Sequence, residues 1–367
     1  MNELTIPFFY NANIDKDNGG KPGSLLFQYY YNSDLSLYQQ IPNDYTSEIL
    51  EQVYKEGSMM NGEMDYSTGG LQGQAAVDYI LTYIANKNYS SVLEIGCGNG
   101  YVLKELSKTI KRCVGLEPGP QATVLTKDCP DIEVIHEFFP TPKINTKFDL
   151  LLHFNVLEHV IDPAAFLAEQ LKLLTENGMI VFGVPNCEPN LKCGDLSIFL
   201  HEHYSYFTRD SIVAISKLLG AEIINMEVGA AGGMIFCSLG KNNPRILTEL
   251  SGHAWQLFDY KNSLTNISKI MLPCAQEDIA VYCPKRAMNA LSILQKYDIR
   301  LVDDTSSLTG KFLPTFNLPV EDFSSLTKSP PKLLIIFSRT FGKQILLKCK
   351  SSDSLSNTKI FLLEDFD

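Results

Sequence analysis

VLEIGCGNGYVL (residues 92–103) joins a short apolar run to a helical pattern through three glycines at two-residue spacing. The run VLEI predicts a buried strand, and YVLKELSKTI (101–110) predicts the helix that follows it. Glycines at such a junction let the backbone turn tightly and approach a ligand closely, where any side chain would collide with it. The stretch therefore predicts a strand, a loop and a helix, and the loop either cradles a small ligand or only turns the chain.

The glycine spacing and the next predicted strand narrow the choice of ligand. The dinucleotide fingerprint has its third glycine three positions after the second, but here that position is Tyr101 and the glycine falls at 100. This spacing argues against NAD. Glu117 lies near the end of the next strand, CVGLEP (113–118), where a carboxylate can accept hydrogen bonds from both hydroxyls of a ribose. The loop and Glu117 together favour a nucleoside ligand over a plain turn.

The rest of the chain predicts an α/β protein. From 71 to 240 helical and strand patterns alternate, which implies a mostly parallel sheet covered on both faces. GKNNPR (240–245) breaks the pattern, and a weaker alternation of the same kind follows it. We therefore predict an N-terminal accessory or cap segment at 1–70, a ligand-binding domain at 71–240 and a smaller, Rossmann-like α/β domain at 241–367.

Two of the predicted helices carry clear end signals. Asp162 followed by Pro163 is a good N-cap and first-turn pair. In TRDSIVAISKLLG (208–220), Thr208 predicts the start of a helix and Gly220 predicts its end. Both helices belong to the alternating region, so they are expected to cover the sheet.

The composition excludes several classes of protein. A chain of 367 residues with 45% hydrophobic and 20% charged residues is an ordinary globular protein of two or three domains. Its net charge of -11 would repel the phosphates of nucleic acid. Nine cysteines without a CxxC pair, none of them before Cys97, resemble neither a disulfide framework nor a zinc ribbon. Since no signal peptide or membrane-length apolar run is present, we expect a cytoplasmic protein without a nucleic-acid or membrane partner.

The stretch FLHEHYSYFT (199–208) concentrates side chains that can bind or react with a small molecule: His201, Glu202, His203, Tyr204 and Tyr206. The two histidines could bind a metal, but no third or fourth ligand follows at helical or CxxC spacing, so we predict no metal. Histidine has an ordinary pKa of about 6.5 and is neutral near pH 7, which suits a general base. Proton transfer is therefore the favoured interpretation, and a purely structural loop is the alternative.

Three features in this order resemble the class I S-adenosylmethionine-dependent methyltransferases: E-x-G-x-G-x-G from Glu94, the acidic strand end at Glu117, and FDLLLHFNVLEHVIDPAAFL (148–167). The resemblance implies a Rossmann-like fold, S-adenosylmethionine as the cofactor and methyl transfer as the activity. It also implies that the glycines border the methionine end, that Glu117 binds the ribose and that His159 supports the loop after it. The cofactor-binding residues that it implies are Glu94, Gly96, Gly98, Gly100, Glu117, Pro118, Phe138, Phe139 and Asn155.

The order of the later motifs resembles one particular group of these methyltransferases. HEHYSYFT, a capped helix, GGMIFCSL (232–239) and a second α/β domain follow one another as in the C-methyltransferases of nucleotide-linked keto-sugars in deoxysugar biosynthesis. This similarity spans roughly residues 60–350. It implies that Glu202 and His203 lie at the sugar, and that His203 removes the proton beside the ketone. We also predict that Tyr66, His201, Tyr204 and Tyr206 contact the substrate.

Three departures from that family leave the acceptor open. The family begins with a four-cysteine zinc module, which the cysteine-free residues 1–96 do not provide. It carries a tyrosine where this chain has Leu200, and a Gly/Ala-rich turn where this chain has CPKRAM (283–288). The alternatives are therefore O- or N-methylation of another small molecule, and a homologue that binds S-adenosylmethionine without catalysis.

Overall fold

The fold is that of a computed structural model, which describes residues 1–8, 22–55, 68–85, 87–229, 232–241, 258–271, 278–290, 297–314, 316 and 318–366. The chain divides into two compact units. The larger unit comprises Tyr30–Asn186 and Glu202–His253, and the smaller unit comprises Met1–Tyr29, Cys187–His201 and Ala254–Asp367. The chain therefore leaves the larger unit once for a short segment, Cys187–His201, and then returns to it.

The strands follow one another along the chain as β1 Asn2–Pro7, β2 Ser24–Asn32, β3 Leu37–Gln40, β4 Ser91–Ile95, β5 Arg112–Leu116, β6 Glu133–Ile135, β7 Phe148–Phe154, β8 Leu174–Pro185, β9 Ser205–Tyr206, β10 Glu222–Val228, β11 Met234–Gly240, β12 Ile279–Tyr282, β13 Ile299–Val302, β14 Val320–Glu321, β15 Leu333–Ile336 and β16 Lys359–Leu362. The α-helices are α1 Asp44–Lys55, α2 Thr68–Ile84, α3 Tyr101–Leu106, α4 Ala122–Asp128, α5 Pro163–Leu173, α6 Glu188–Cys193, α7 Arg209–Leu219, α8 Tyr260–Met271, α9 Pro284–Ala287, α10 Phe323–Lys328 and α11 Gly342–Lys350.

The larger unit contains a sheet with the strand order β10-β11-β8-β7-β4-β5-β6. The strands β8, β7, β4, β5 and β6 are parallel to one another. At the β8 edge, β11 pairs antiparallel with β8 and β10 pairs antiparallel with β11, so β10 again runs in the direction of β8. The predicted α/β fold with a mostly parallel sheet is confirmed. Since β4 lies between β5 and β7, the order of strands reverses there, and such a reversal is where open α/β sheets bind ligands.

Hydrophobic side chains cover both faces of this sheet. Leu151 of β7 belongs to one hydrophobic cluster, and its neighbours Leu150 and Leu152 belong to another. Successive side chains of a strand point to opposite faces, so the two clusters are two layers of core. All three leucines are fully buried. The helices of the alternating pattern supply the outer part of each layer, as the sequence predicts.

The predicted helix ends are also confirmed. The Asp162 carboxylate accepts a hydrogen bond from the backbone N–H of Ala165, 2.9 Å away, and Pro163 is the first residue of α5. Thr208 caps α7 through a reciprocal pair of hydrogen bonds with Ser211. Gly220 ends α7 with a positive φ of 62°, a conformation that favours glycine.

One predicted strand is too long. The sequence pattern FDLLLHFNVLEHV predicts a strand through Val160, but β7 ends at Phe154. Asn155 has a φ of 53°, in the left-handed region that breaks a strand. A single 3-10 turn, Leu157–His159, follows it. The apolar residues of this stretch pack as a turn rather than as a strand, a difference that periodicity does not reveal.

The smaller unit has its own parallel sheet, with the order β14-β13-β12-β15-β16, and β1 pairs antiparallel with β2. The predicted second α/β pattern is therefore present. The pattern AMNALSILQKYD (287–298) predicts a helix, but the structure differs from this prediction. Helix α9 ends at Ala287, and a 3-10 turn covers Met288–Ala290. Residues 291–296 lie outside the described residues.

The compact units are not the linear segments that the sequence predicts. Tyr30 to residue 70 lies within the larger unit, and Cys187–His201 groups with the smaller one. The division at 1–70, 71–240 and 241–367 stays a prediction. In the part of the chain that the structure describes, every helix is too short or too polar to cross a lipid bilayer.

Candidate functional site

The loop after β4 is tied to the end of β5. The backbone N–H of Gly98 donates to Glu117 Oε2 at 3.0 Å, and the N–H of Gly119 donates to Glu117 Oε1 at 2.8 Å. The N–H of Gly96 donates to the carbonyl of Leu116 at 2.7 Å. Glu117 is only 7% exposed, so the two backbone donors hold its carboxylate at the carboxyl edge of the sheet. The sequence predicts this pairing of loop and strand end, and the structure brings the two together.

The three loop glycines have different reasons to be glycine. Gly96, Gly98 and Gly100 all have positive φ, of 70°, 53° and 77°. A Cβ on Gly96 would collide with Val156, and a Cβ on Gly100 would collide with Leu125. A Cβ on Gly98 would meet no atom within 4 Å. The outer two glycines therefore allow close packing, whereas Gly98 faces open space, where a ligand can approach the backbone.

Glu94 lies inside the protein at the end of β4. It is 4% exposed, and its Oε2 has no hydrogen-bond partner among the described residues. Burial raises the pKa of Glu94 to about 8, with the negative charge of Glu117 as a smaller cause in the same direction. A backbone hydrogen bond with Leu103 opposes the rise. At pH 7 this carboxyl group is therefore mostly protonated and can donate a hydrogen bond.

The remaining predicted cofactor residues lie after β5, β6 and β7, at the same edge of the sheet. Pro118 is exposed, and Phe138 is 70% exposed. Phe139 packs edge-on against Phe166 with ring centroids 5.2 Å apart. Asn155 donates its backbone N–H to the carbonyl of Gly183 at 3.0 Å. Of the two phenylalanines, Phe138 is thus the one available to an aromatic ligand, and Phe139 supports the core.

A second group of polar side chains adjoins the glycine loop. Val156, which blocks a side chain at Gly96, precedes the 3-10 turn Leu157–His159. That turn carries Glu158 and His159, and His203 contacts it from the stretch HEHYSYFT. The rings of His159 and His203 meet edge to face, with centroids 4.8 Å apart and an interplanar angle of 81°. Two distant pieces of sequence therefore form one cluster beside the loop.

Backbone hydrogen bonds fix the piece of chain that carries His203. The N–H of Tyr204 donates to the carbonyl of Glu158 at 2.7 Å, and the N–H of Gln40 donates to the carbonyl of Tyr204 at 2.9 Å. The hydroxyl of Tyr206 donates to the carbonyl of His203 at 2.9 Å. Tyr206 is fully buried. Of the two tyrosines predicted to contact substrate, Tyr206 therefore fastens the loop, and Tyr204 lies half-buried beside the cluster.

The hydrogen bond of His159 settles its tautomer. His159 Nδ1 lies 2.9 Å from the carbonyl oxygen of Glu202. A carbonyl only accepts, so Nδ1 carries the proton and Nε2 carries the lone pair. Burial lowers the pKa of His159 to about 4, and the bond to the Glu202 carbonyl opposes this. His159 therefore holds the stretch that carries Glu202, whereas the prediction concerned the loop that follows His159, and its Nε2 also belongs to the cluster.

Two carboxyl groups, those of the buried Glu158 and the half-buried Glu202, accompany the imidazoles. The pKa of Glu158 is raised to about 8. Burial is the main cause, and the nearby charge of Glu202 is a smaller cause in the same direction. Burial raises the pKa of Glu202 to about 7. Glu158 is 1% exposed, its Oε1 lies 3.9 Å from His159 Nε2, and its Oε2 has no partner among the described residues. Both carboxyl groups therefore hold protons close to neutral pH.

The cluster could also hold a metal ion. Glu158, His159 and His203 each offer one ligand atom, and these atoms all lie within 4.8 Å of one another. Two imidazoles and a carboxylate form a set that suits Zn²⁺ or another divalent transition metal. The prediction of no metal depends on the spacing of possible ligands around His201 and His203. Glu158 and His159 lie far from that stretch in the sequence, so spacing alone does not identify them as ligands. Their signal is the Glu-His pair directly after β7.

His201 lies in another environment from His203. It belongs to the smaller unit, is 3% exposed and packs edge-on against Phe8 and Phe27, with centroids 5.5 and 5.8 Å away. Its Nε2 donates to the carbonyl of Leu25 at 3.3 Å. Burial lowers the pKa of His201 to about 4. The structure does not bring His201 into the cluster, and Tyr66, another predicted substrate contact, lies outside the described residues.

Comparison with known proteins finds methyltransferases. A family model described as "Methyltransferase domain" matches residues 71–225. The chain is 31% identical over 98 residues to a "Probable S-adenosylmethionine-dependent methyltransferase" of Mycolicibacterium smegmatis, covering 26% of this chain and 38% of that protein. It is 30% identical over 100 residues to a "Ubiquinone biosynthesis O-methyltransferase" of Bradyrhizobium diazoefficiens, covering 26% and 40%. The chain thus spans well under two thirds of these relatives.

Among solved structures, the chain is similar to the N-methyltransferase NodS of Bradyrhizobium japonicum in complex with S-adenosyl-L-homocysteine. The sequence identity is 15% and the TM-score 0.41, over 55% of this chain and 100% of NodS.

Proposed function

We propose that residues 71–225, which match a methyltransferase domain family model, form a class I S-adenosylmethionine-dependent methyltransferase domain, and that the protein methylates a carbon beside the ketone of a nucleotide-linked keto-sugar. His203 is the general base of this reaction. S-adenosylmethionine supplies an electrophilic methyl group, so the protein needs to position the acceptor and to remove a proton from it.

The residues of the glycine loop fit the cofactor. Gly98 leaves open space beside the backbone, which a ligand can fill. Each Glu117 oxygen accepts one backbone hydrogen bond and retains a lone pair for a ribose hydroxyl. Phe138 offers an exposed ring for the adenine. Gly98, Glu117 and Phe138 would hold the cofactor. Glu94, which is buried at the end of β4, would support the glycine loop.

The observation that carries the proposal is the pairing of His159 and His203 with the carboxyl groups of Glu158 and Glu202. Turning a ketone into an enolate needs a base for the carbon-bound proton and a donor for the oxygen that gains charge. His203 can serve as the base. Glu202 and Glu158, which hold protons near neutral pH, can serve as donors. Methyl transfer to an amine or a phenol needs a base at most, so the second group favours carbon as the acceptor.

The substrate class is supported by two further features. HEHYSYFT occupies the position that it has in methyltransferases of nucleotide-linked keto-sugars, and a second parallel α/β sheet follows it. Leu200 and the CPKRAM turn depart from that family's sequence. The sugar, and the residues that bind it, can therefore differ from those of the family.

The test is exchange of the substrate's acidic proton with solvent. A panel of nucleotide-linked keto-sugars is incubated with the protein and S-adenosylhomocysteine in deuterated water, and mass spectrometry follows uptake of deuterium. We expect one α-position to exchange, and the same substrate to be methylated when S-adenosylmethionine is present. His203→Gln should abolish both reactions, whereas His136→Gln, a change at an exposed histidine, should leave both unchanged.

Other outcomes would point elsewhere. Methylation of a substrate without α-proton exchange would assign an oxygen or nitrogen acceptor. Cofactor binding without turnover on any member of the panel would mark a non-catalytic homologue.

A chelator distinguishes proton transfer from metal catalysis in the same assay. If His203 acts as a general base without a metal ion, treatment with a chelator leaves the exchange rate unchanged, and added Zn²⁺ inhibits by occupying the cluster. Loss of exchange with the chelator, restored by one divalent cation, would instead make Glu158, His159 and His203 a metal site.

A further inference from the structure

The proposed base lies between two hydrogen bonds to the turn that carries Glu158 and His159. Before His203, the carbonyl of Glu202 accepts from His159 Nδ1 at 2.9 Å. After it, the N–H of Tyr204 donates to the carbonyl of Glu158 at 2.7 Å. All of these residues belong to the larger unit. The backbone on both sides of His203 is therefore held by the same turn.

A buried tyrosine holds the carbonyl of the base itself. The hydroxyl of Tyr206 donates to the carbonyl of His203 at 2.9 Å, and Tyr206 is fully buried. Because solvent does not reach this tyrosine, water does not compete with the carbonyl for its hydroxyl. The orientation of the His203 carbonyl therefore depends on the Tyr206 side chain.

These hydrogen bonds together fix the backbone conformation of His203. A residue has two soft backbone dihedrals, and each of them rotates one of the flanking peptide planes. The bond from His159 holds the plane before His203, and the bond from Tyr206 holds the plane after it. With both planes held, the direction of the His203 side chain from its Cα is set, and its χ angles remain. The His159 ring, which meets the His203 ring edge to face at 4.8 Å, restricts those angles.

The position of Tyr206 is set by strand pairing. Strand β9 pairs antiparallel with β3, and Tyr206 lies opposite Tyr38. The N–H of Gln40 donates to the carbonyl of Tyr204 at 2.9 Å and extends this pairing toward the base. Strand β3 belongs to the larger unit. Part of the segment that the sequence predicts to be an accessory cap therefore supports the strand from which Tyr206 reaches back to the base.

We propose that Tyr206 is a positioning residue for His203, and that its hydroxyl acts by holding the His203 carbonyl. The inference rests on the proposed function, because it concerns the residue that removes the proton. The sequence predicts Tyr206 as a substrate contact, but its full burial and its bond to the backbone favour a role through the base instead. A shift of about 1 Å in a catalytic group can cost about 100-fold in rate, so loss of the hydroxyl should appear in kcat.

The experiment compares two Tyr→Phe variants of the full chain. Tyr206→Phe removes one hydroxyl and keeps the buried ring. Tyr79→Phe is the matched control, because Tyr79 is also buried in the larger unit and its hydroxyl accepts from Ser238 at 3.0 Å and from Asn225 at 3.1 Å. With the keto-sugar nucleotide that the wild type exchanges, we expect Tyr206→Phe to lower kcat and the rate of α-proton exchange by about 10- to 100-fold. The KM and the Kd of S-adenosylhomocysteine should not change, and Tyr79→Phe should keep a wild-type kcat.

A second measurement follows the base directly and needs no substrate. The imidazole nitrogens of His203 are observed by ¹⁵N NMR and assigned with the His203→Gln variant. We expect Tyr206→Phe to shift the His203 signals, whereas Tyr79→Phe should leave them in place. A protein with 4-aminophenylalanine at position 206 again carries a donor at the end of the ring, so it should recover part of kcat and return the His203 signals toward those of the wild type. All rates and spectra are measured well below the melting temperature of each variant.

Several results would overturn the inference. A wild-type kcat in Tyr206→Phe, with the His203 signals in place, would mean that the hydroxyl does not position the base. Equal losses of kcat in Tyr206→Phe and Tyr79→Phe would mean general destabilisation of the larger unit. A raised KM with a wild-type kcat would make Tyr206 a substrate contact. A fully active His203→Gln variant would overturn the proposed function itself, which none of the other results would do.

Discussion

Glu117 shows how a single side chain can serve both the fold and a ligand. Its two oxygens accept hydrogen bonds from Gly98 and Gly119, so the carboxylate holds the loop while one lone pair on each oxygen remains for a ligand. The local sequence predicts this residue well. It lies at a strand end after a glycine loop, and both signals come from neighbouring residues.

Replacing Glu117 by glutamine should weaken cofactor binding. The amide has one acceptor oxygen instead of two, and hydrogen bonds to a charged group contribute about 1.5–3 kcal/mol each. We therefore expect Glu117→Gln to raise the Kd of S-adenosylhomocysteine at least tenfold in calorimetry. Glu133→Gln, at an exposed position of the neighbouring strand β6, is the matched control and should bind normally. Equal affinities of the two variants would remove Glu117 from the cofactor site.

His153 is a buried histidine that the proposed mechanism does not use. It is fully buried in β7, its ring stacks on Phe182 with centroids 5.1 Å apart, and neither nitrogen has a partner among the described residues. Burial lowers the pKa of His153 to about 3. Below its ordinary pKa of about 6.5 the unfolded chain binds a proton that the folded chain does not. Stability is therefore lost as pH falls from 6.5 toward 3.

This loss can be measured with His153→Phe. The wild type should lose about 1.4 kcal/mol of unfolding free energy per pH unit through His153 in that window. Between pH 7.5 and 5.5, His153→Phe should therefore lose about 1.4 kcal/mol less unfolding free energy than the wild type, as measured by urea unfolding. His136→Phe, at an exposed site, should follow the wild type. Parallel pH curves for wild type and His153→Phe would show that the buried ring titrates normally.

At the scale of whole elements, the strands β4, β7 and β8 are joined at their amino ends by one carboxylate. Asp149 Oδ2 accepts from the N–H and the hydroxyl of Ser90, both at 2.9 Å, and from those of Ser91 at 3.2 and 3.0 Å. Asp149 Oδ1 accepts from the Thr175 hydroxyl at 3.0 Å. This edge is opposite to the one that carries the glycine loop. It holds the sheet together without taking part in the site.

Asp149→Ala should therefore destabilise the sheet without harming the site. Losing a carboxylate that satisfies several donors should cost about 2–3 kcal/mol of unfolding free energy. Urea unfolding measures the cost, and Asp131→Ala, at an exposed position, is the control. The Kd of S-adenosylhomocysteine should stay the same. A tenfold weaker Kd would mean that the two edges of the sheet are coupled.

For the whole molecule, the division into two compact units predicts how ligand binding changes thermal stability. The proposed cofactor residues all belong to the larger unit. A ligand that binds only the native form stabilises it by about 2.7 kcal/mol at a concentration 100 times its Kd. We expect this stabilisation to affect the unfolding of the larger unit and not that of the smaller unit.

Scanning calorimetry tests this at the molecular scale. We expect S-adenosylhomocysteine to raise the melting temperature of one unfolding transition and to leave a second one in place. Glu117→Gln should show no shift at the same ligand concentration. A single transition that moves as a whole would show instead that the two units unfold cooperatively.

Local sequence by itself determined the α/β class, the glycine loop, the acidic end of β5 and the caps of α5 and α7. Each of these depends on residues a few positions apart, so spacing and periodicity carry the information. Only the tertiary structure decided that Glu158 and His159 join His203, that His201 lies elsewhere, and that Cys187–His201 groups with the smaller unit. Those contacts join residues far apart in the chain, and no local pattern records which distant residue fills a given space. The proposed cofactor residues could therefore be predicted from local sequence, whereas the proposed catalytic cluster could not.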